Sequence, residues 1–215
     1  MRYILIFVLF LEIILGNTDA LAKDYQLKDV AFDSTTKTFY DKAKKTITGR
    51  VISVKDEKKT IVTVKDGKQD GETLTYIKGI LRAKNILVNG QLREINTYWT
   101  NGKIRTHTPI MARYVNGSLA EKYTNEPTKW YYKNGKLMLA LEGEGMPPKF
   151  MAFYDKKGQL LAKINVKVMN NSFCVDNGKK VPLRSTDIFL NEYNRILDDD
   201  YDDKEMDFSK FKCSQ

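Results

Sequence analysis

The chain has 215 residues and a net charge of +9, and 42% of its residues are hydrophobic. This length fits one domain, with or without appendages. A basic chain favours acidic partners, namely anionic lipid, polyanionic glycan or an acidic protein. Nucleic acid is not a predicted partner, because the sequence has no compact run of Lys and Arg.

The N-terminus has the pattern of a signal peptide. An apolar stretch of about a dozen residues extends to Leu15 and stops at Gly16, whereas a membrane-spanning helix needs about 20 residues. Ala20 and Ala22 then offer small residues at both positions that a signal peptidase recognises. We predict a signal peptide over residues 1–22, cleavage near Ala22, export to the periplasm or medium, and no transmembrane segment in the mature chain. The alternative, an uncleaved N-terminal anchor, is disfavoured by Glu12 within the apolar stretch.

Residues 23–46 are polar and mixed, with one predicted strand at Lys37–Tyr40. We interpret them as an N-terminal cap segment that starts or covers a sheet. This sheet is predicted to occupy residues 47–168.

A turn signature recurs throughout residues 47–168. Its glycines stand at positions 67, 79, 90 and 102, which differ by 12, 11 and 12, and it continues with wider spacing at Gly117, Gly135 and Gly158. Asn-Gly pairs supply the two positive φ angles of a type I′ turn, which joins the strands of a β-hairpin. Two strands with their turns form a unit of about 23 residues.

β-branched and aromatic residues dominate between these turns, as in Thr60–Val64 and Glu72–Ile77. No helix pattern occurs from Gly49 to Val168. The predicted fold class is therefore all-β: a repetitive antiparallel β-hairpin meander that forms a single twisted sheet, with one short helix near the C-terminus.

Aromatic residues recur close to the turn glycines. Because equivalent residues of successive hairpins stack in register, we expect them to form a ladder along one face of the sheet. Two interpretations remain open: the ladder is the core of the sheet, or it is an exposed groove that binds a sugar or peptide. The candidate binding face comprises Tyr76, Trp99, Tyr114, Trp130, Tyr132 and Tyr154.

The tail, residues 169–215, differs from the repeats. The only two cysteines, Cys174 and Cys213, predict a single disulfide in an exported protein. A good N-cap at Ser185–Asp187 precedes helically spaced apolar residues up to Leu197, which predicts a short amphipathic helix. An acidic run over residues 198–205 follows, and we interpret it as a solvated acidic patch.

The sequence does not favour catalysis or a cofactor. Its one histidine, His107, is interpreted as an ordinary surface residue near a strand end. Glu142 and Glu144 could in principle act as paired carboxylates, but their glycine-flanked segment is more typical of a flexible insertion. The acidic run lacks the glycine and the bidentate glutamate of an EF-hand loop. We predict neither an enzyme, nor a cofactor, nor a metal site.

The recurring motifs resemble the bacterial MORN-repeat variant family, whose members are commonly labelled YwqK-type antitoxins. The resemblance covers roughly residues 40–165. It rests on Thr48-Gly49, on Lys65–Glu72 with Tyr76 following, on Tyr98–Ile104 and on Trp130–Leu137. The ending around Cys174 is similar to tails of exported members, which supports the disulfide. The resemblance implies a protein-binding antitoxin; in an exported chain the bound toxin would be one met in the envelope, as with an immunity protein.

The leading hypothesis is thus an exported, non-catalytic repeat protein that binds a macromolecular partner through its sheet. In this hypothesis the aromatic face supplies affinity and the basic charge steers association. The main alternative is a structural or surface-associated envelope protein that binds anionic lipid or glycan.

Overall fold

The computed structural model describes residues 23–110, 112–115, 118–122, 124–143, 148–166, 168, 171–183, 191, 205, 207–208 and 213. The predicted signal peptide lies outside these residues, as do Glu144 and, except for Asn191, the predicted C-terminal helix. Within the described part of the chain, no helix has the length and apolar character needed to cross a membrane.

The predicted fold class is confirmed, because the described chain is a long antiparallel meander. Thirteen strands form one sheet in the order β1-β4-β5-β6-β7-β8-β9-β12-β13-β14-β15-β16-β17. Only the first pair, β1 with β4, is parallel. The strand bounds are β1 Asp24–Gln26, β2 Val30–Asp33, β3 Thr38–Asp41, β4 Gly49–Lys55, β5 Lys58–Lys65, β6 Lys68–Ile77, β7 Ile80–Val88, β8 Gln91–Tyr98, β9 Ile104–Pro109, β10 Ala112–Val115, β11 Ser118–Lys122, β12 Thr128–Tyr131, β13 Leu137–Glu142, β14 Phe150–Tyr154, β15 Leu160–Asn165, β16 Phe173–Asp176 and β17 Lys179–Pro182.

The first hairpins close with two-residue turns, as predicted. Asp66 and Gly67 have φ angles of 50° and 78°, and Asn89 and Gly90 have 51° and 75°. Positive φ at both central residues defines the type I′ turn, whose twist matches that of the strands. Lys78 occupies the same conformation (φ 52°) before Gly79, although asparagine or glycine would be less strained there.

The later hairpins use a different turn, so the prediction of type I′ geometry at every Asn-Gly pair is wrong. At Gly102 only the glycine has positive φ, and the Trp99 N–H donates to the Lys103 carbonyl across a three-residue loop. The Asn101 side chain instead accepts a hydrogen bond from the Lys103 N–H at 3.0 Å. Loop 133–135 repeats this arrangement. Loop 156–158 has the same backbone hydrogen bond, but there the Asp155 side chain accepts a hydrogen bond from the Gln159 N–H at 2.8 Å. Each of these later loops therefore has one residue more before its glycine than the two-residue turns of the first hairpins.

In the hairpins that turn at Gly79, Gly90, Gly102, Gly135 and Gly158, the residue three positions after the glycine has no partner on the neighbouring strand and forms a β-bulge. Such bulges increase local twist and bend the strand. The bulged residues are Arg82, Arg93, Arg105, Met138 and Leu161.

Strands β10 and β11 form a hairpin that does not join the main sheet. β9 pairs directly with β12, and β10 pairs only with β11. This insertion explains why the spacing between Gly102 and Gly135 exceeds that of the other repeats. Tyr114, predicted to belong to the aromatic ladder, lies on β10 and therefore outside the main sheet.

One face of the sheet is covered near both ends, and the two hydrophobic clusters lie there. Near the first strands, Phe39 of the N-terminal segment packs against a cluster of Ile47, Val51 and Val64. Near the last strands, Phe208 is fully buried in a cluster that includes Leu139. We call this side of the sheet the covered face and the opposite side the open face.

The predicted disulfide is confirmed: Cys174 on β16 is bonded to Cys213, with the two Cα atoms 5.6 Å apart. The bond ties the tail to the strand that follows the repeats. The sheet itself continues past the predicted boundary at residue 168, because β16 pairs with β15 and β17 completes the edge. A disulfide is compatible with an oxidising, exported compartment.

Candidate functional site

The strand register separates the aromatic residues into two rows, one on each face. Residues that pair directly across antiparallel strands share a face, as do residues two apart on one strand. Leu74, Lys84, Asn96, His107, Lys129, Ala140 and Ala152 are paired in series across the sheet. They define the open face, together with the residues two positions away.

The open face carries one tyrosine per repeat, and we call this set the tyrosine row. Three members are the last paired residue before a turn, and Tyr76 is the last but one because Ile77 pairs with Ile80; each pairs with Leu or Ile of the next strand. None of the four is buried, and each is partly exposed. The row comprises Tyr76 opposite Leu81, Tyr98 opposite Ile104, Tyr131 opposite Leu137 and Tyr154 opposite Leu160.

The other aromatic row lies on the covered face. Trp130 pairs with Leu139 and is 8% exposed, and Tyr132 is fully buried beside it. The Tyr132 hydroxyl donates to the Tyr154 carbonyl at 2.7 Å. Trp99 is 2% exposed, and its indole N–H donates to the Tyr131 carbonyl at 2.9 Å. For these three rings the structure favours the core interpretation.

The predicted binding face is thus divided. Tyr76 and Tyr154 lie in the tyrosine row, whereas Trp99, Trp130 and Tyr132 are core residues, and no side-chain position is described for Tyr114. Sequence reasoning missed Tyr98 and Tyr131. It selected Trp99 and Tyr132, three positions before Gly102 and Gly135, but a three-residue loop places the open-face residue four positions before the glycine, as it does for Tyr154 before Gly158. Alternation within each strand shows that Tyr98 and Trp99, like Tyr131 and Tyr132, lie on opposite faces, but only the strand register shows which face is open.

Burial affects the ionisation of these phenols. Desolvation, reinforced by the negative charge of Glu126, raises the pKa of Tyr131. Desolvation and Glu142 raise the pKa of Tyr154. Tyr131 and Tyr154 therefore stay neutral at physiological pH. Each offers an apolar ring with a polar hydroxyl.

A polar network crosses the open face between the tyrosines. His107 Nδ1 lies 2.9 Å from Asn96 Oδ1, and His107 Nε2 lies 3.3 Å from Glu126 Oε2. Glu94 Oε1 is 3.7 Å from the same imidazole. The side chain of His107 is only 17% exposed, so its interpretation as an ordinary surface residue is wrong. Because both ring nitrogens face polar partners on other segments, the network connects strands across the sheet.

Lys84 and Glu142 each form an ion pair on the open face. Lys84 Nζ is 3.1 Å from Glu72 Oε1, and this hydrogen bond is the main cause that raises the pKa of Lys84. Glu142 forms an ion pair of 2.6 Å with Lys163. The described residues contain no group of three or more side chains placed to hold a metal ion.

Comparisons with protein-family models, curated proteins and solved structures give no match to this chain. The function of the open face therefore has to be argued from its own geometry. That geometry is a sheet surface with one tyrosine per repeat, each opposite a Leu or Ile, and with ion pairs on the same face further along the strands.

Proposed function

We propose that the chain is an exported, non-catalytic MORN-type repeat protein that binds a macromolecular partner through the open face of its sheet, as an antitoxin or immunity protein does. The observation that carries the proposal is the tyrosine row. Four partly exposed rings at equivalent positions form a regular array, and array-like surfaces of repeat proteins are suited to extended partners.

The chemistry of the row favours a protein partner. Tyrosine supplies a large rigid contact area with few rotatable bonds and is enriched at the energetic centres of interfaces. The net charge of +9 favours an acidic partner and faster association with it. The disulfide between Cys174 and Cys213 supports export. The resemblance of the turn motifs to the MORN-repeat variant family supports a protein, of the immunity type, as the partner.

A second candidate function is attachment to anionic lipid or glycan of the cell envelope. The observation that favours it is the lysine content of the hairpin turns, including Lys78, Lys103, Lys136 and Lys157. Attachment through exposed lysines alone would weaken steeply with ionic strength, because such charges are screened beyond about 10 Å at 0.1 M salt.

The test is affinity capture with the full chain, expressed with its own N-terminal segment, from an envelope extract of the host. Binding should be compared at about 0.1 M and about 0.5 M salt. We expect one protein to remain bound at high salt and to be lost in the Tyr98→Ser/Tyr131→Ser variant. A melting curve should establish that the variant is folded.

The control is Tyr40→Ser, which removes a partly exposed tyrosine of β3, away from the row. This variant should retain the partner. Retention that is unaffected by the loss of Tyr98 and Tyr131 would contradict the proposal. Lipid or glycan bound at low salt only, with no protein at high salt, would favour the second candidate.

A further inference from the structure

One end of the strands carries a row of lysines, which lies in the turns that follow the tyrosines and therefore borders the tyrosine row. In a meander every second turn lies at the same end of the sheet, so the turns that follow β4, β6, β8, β12, β14 and β16 share one edge. We call it the turn edge. Its lysines are Lys55, Lys58, Lys78, Lys103, Lys133, Lys136, Lys156, Lys157 and Lys179.

Direct hydrogen bonds hold neighbouring turns of this edge in register. The Asn101 side chain donates to the Lys133 carbonyl at 2.9 Å, and one repeat later the Asn134 side chain donates to the Lys156 carbonyl at 2.8 Å. Neighbouring turns are two strands apart, which corresponds to about 10 Å. In these three turns the lysines therefore recur at a fixed interval, whereas Lys78 of an earlier turn is paired with Glu57 at 3.2 Å.

A carboxylate of this chain already occupies the turn edge. One oxygen of Glu205 accepts a hydrogen bond from the Lys133 backbone N–H, and its other oxygen lies 2.8 Å from Lys156 Nζ. Asp207 lies 4.0 Å from the same ammonium group. The hydrogen bond from Lys156 to Glu205 is the largest cause that raises the pKa of Lys156. A carboxylate on a polypeptide thus fits between two neighbouring turns.

We propose that the turn edge binds an extended acidic polypeptide segment of a partner, whose carboxylates enter between neighbouring turns as Glu205 does, and that Glu205 competes with it. An extended chain advances about 3.3 Å per residue, so every third residue reaches the next turn. A planar bilayer fits less well, because the twist of the sheet turns successive hairpins away from any one plane. This second surface lies beyond the function proposed for the open face and can be tested separately from it.

The test measures binding of a fluorescent peptide of about ten glutamates to the full chain at low salt. Lys136→Gln/Lys157→Gln removes two exposed lysines of the turn edge, and Lys44→Gln/Lys65→Gln removes two exposed lysines elsewhere with the same change of net charge. We expect roughly tenfold weaker binding for the first pair and less than twofold for the second. Equal losses in the two variants would overturn the proposal, because net charge alone would then explain binding.

Two further experiments test what binds to the turn edge. Glu205→Gln should tighten peptide binding about threefold, since it removes the internal competitor, and unchanged or weaker binding would overturn the competition. A polyuronate or anionic vesicles that bind more tightly than the peptide, with the same dependence on Lys136 and Lys157, would overturn the assignment to a polypeptide.

The outcome for the turn edge is distinguishable from that for the open face. Tyr98→Ser/Tyr131→Ser should leave peptide binding within twofold of the unaltered chain, which supports two separate surfaces. A larger loss would overturn their separation.

Discussion

The first half of the sheet, up to β9, and the second half, from β12 onward, contain the same bulged hairpins. Different side chains occupy the bulged position in the two halves. In the first half Arg82 donates to the Tyr98 carbonyl at 3.1 Å, and Arg105 lies over the Trp99 ring at 4.8 Å. In the second half Met138 is 3% exposed and belongs to the cluster that contains Phe208. The repeat therefore determines where a side chain lies, whereas its surroundings determine which side chain is stable there. The aliphatic part of an arginine side chain covers apolar surface while its guanidinium group makes polar contacts. A position buried by Phe208 instead needs an apolar side chain.

Exchanging the residue types is the strongest test of this difference. Met138→Arg should lower the free energy of unfolding by about 3–5 kcal/mol, because it buries a charge without a prepared partner. Arg105→Met should cost only about 1 kcal/mol, mainly through loss of the cation–π contact with Trp99. Denaturant unfolding of both variants measures the two values. Similar losses of stability in the two variants would contradict the idea that the two halves require different side chains at the bulged position.

The disulfide should stabilise the half that the tail covers. It closes a loop with a sequence separation of 39 residues. Cys174→Ala/Cys213→Ala should lower stability by about 2–4 kcal/mol. Hydrogen exchange should show the loss in β13–β16 before β5–β8, and uniform loss across the sheet would contradict this. A thiol assay on the unaltered protein should find no reactive thiol; one thiol per chain would refute the intramolecular bond.

Alkaline pH should lower the stability of the protein through Tyr132, which lies in the cluster that contains Phe208. Burial is the main cause that raises the pKa of Tyr132, while a hydrogen bond from the Phe208 backbone opposes it. Above about pH 10 the unfolded chain releases this proton and the folded chain keeps it, so stability falls as pH rises, by about 1.4 kcal/mol per pH unit. Below pH 10 this contribution is fully present.

Tyr132→Phe separates ionisation from the hydrogen bond to Tyr154. The variant should lose about 1 kcal/mol at pH 7, because the Tyr154 carbonyl loses its donor. Its stability should then decline less steeply between pH 10 and 11 than that of the unaltered protein. Equal slopes would show that another group is responsible for the alkaline loss.

A modest effect is also expected at Gly102, which lies in the first of the three-residue loops. Its φ is 79°, and a Cβ atom there would meet nothing within 4 Å. Gly102→Val should therefore cost about 1 kcal/mol or more from backbone strain alone, and Gly102→Asn should cost less because asparagine tolerates positive φ. Melting temperatures provide the measurement, and an unchanged value for the valine variant would refute the turn assignment.

Much of the fold could be predicted from local patterns. The positions of Gly67, Gly79 and Gly90 identify the turns because only a few residue types tolerate positive φ there. Alternating β-branched residues between the turns identify the strands. The disulfide follows from there being only two cysteines in the chain. The insertion after Pro109 could not be predicted, because Asn116-Gly117 is a turn motif whether or not its strands join the main sheet.

The candidate site was predicted less well than the fold. Tyr98 and Tyr131 are adjacent in sequence to Trp99 and Tyr132, and both members of each pair are aromatic. Which member is buried depends on the strand register, and a shift of one residue exchanges the two faces. The burial of His107 likewise depends on Asn96 and Glu126, which lie on other segments.

The sequence by itself determined that this protein is a series of β-hairpins with turns at particular glycines, because turn conformation and strand alternation are local properties. Only the tertiary structure decided which face each aromatic residue occupies, which turns become neighbours and where the tail packs. These features depend on the extra residue in the later loops, on the pairing of β9 with β12 and on the burial of Phe208. The loop length is local but is not revealed by the Asn-Gly pair itself, and the other two features are set by contacts between residues distant in the chain.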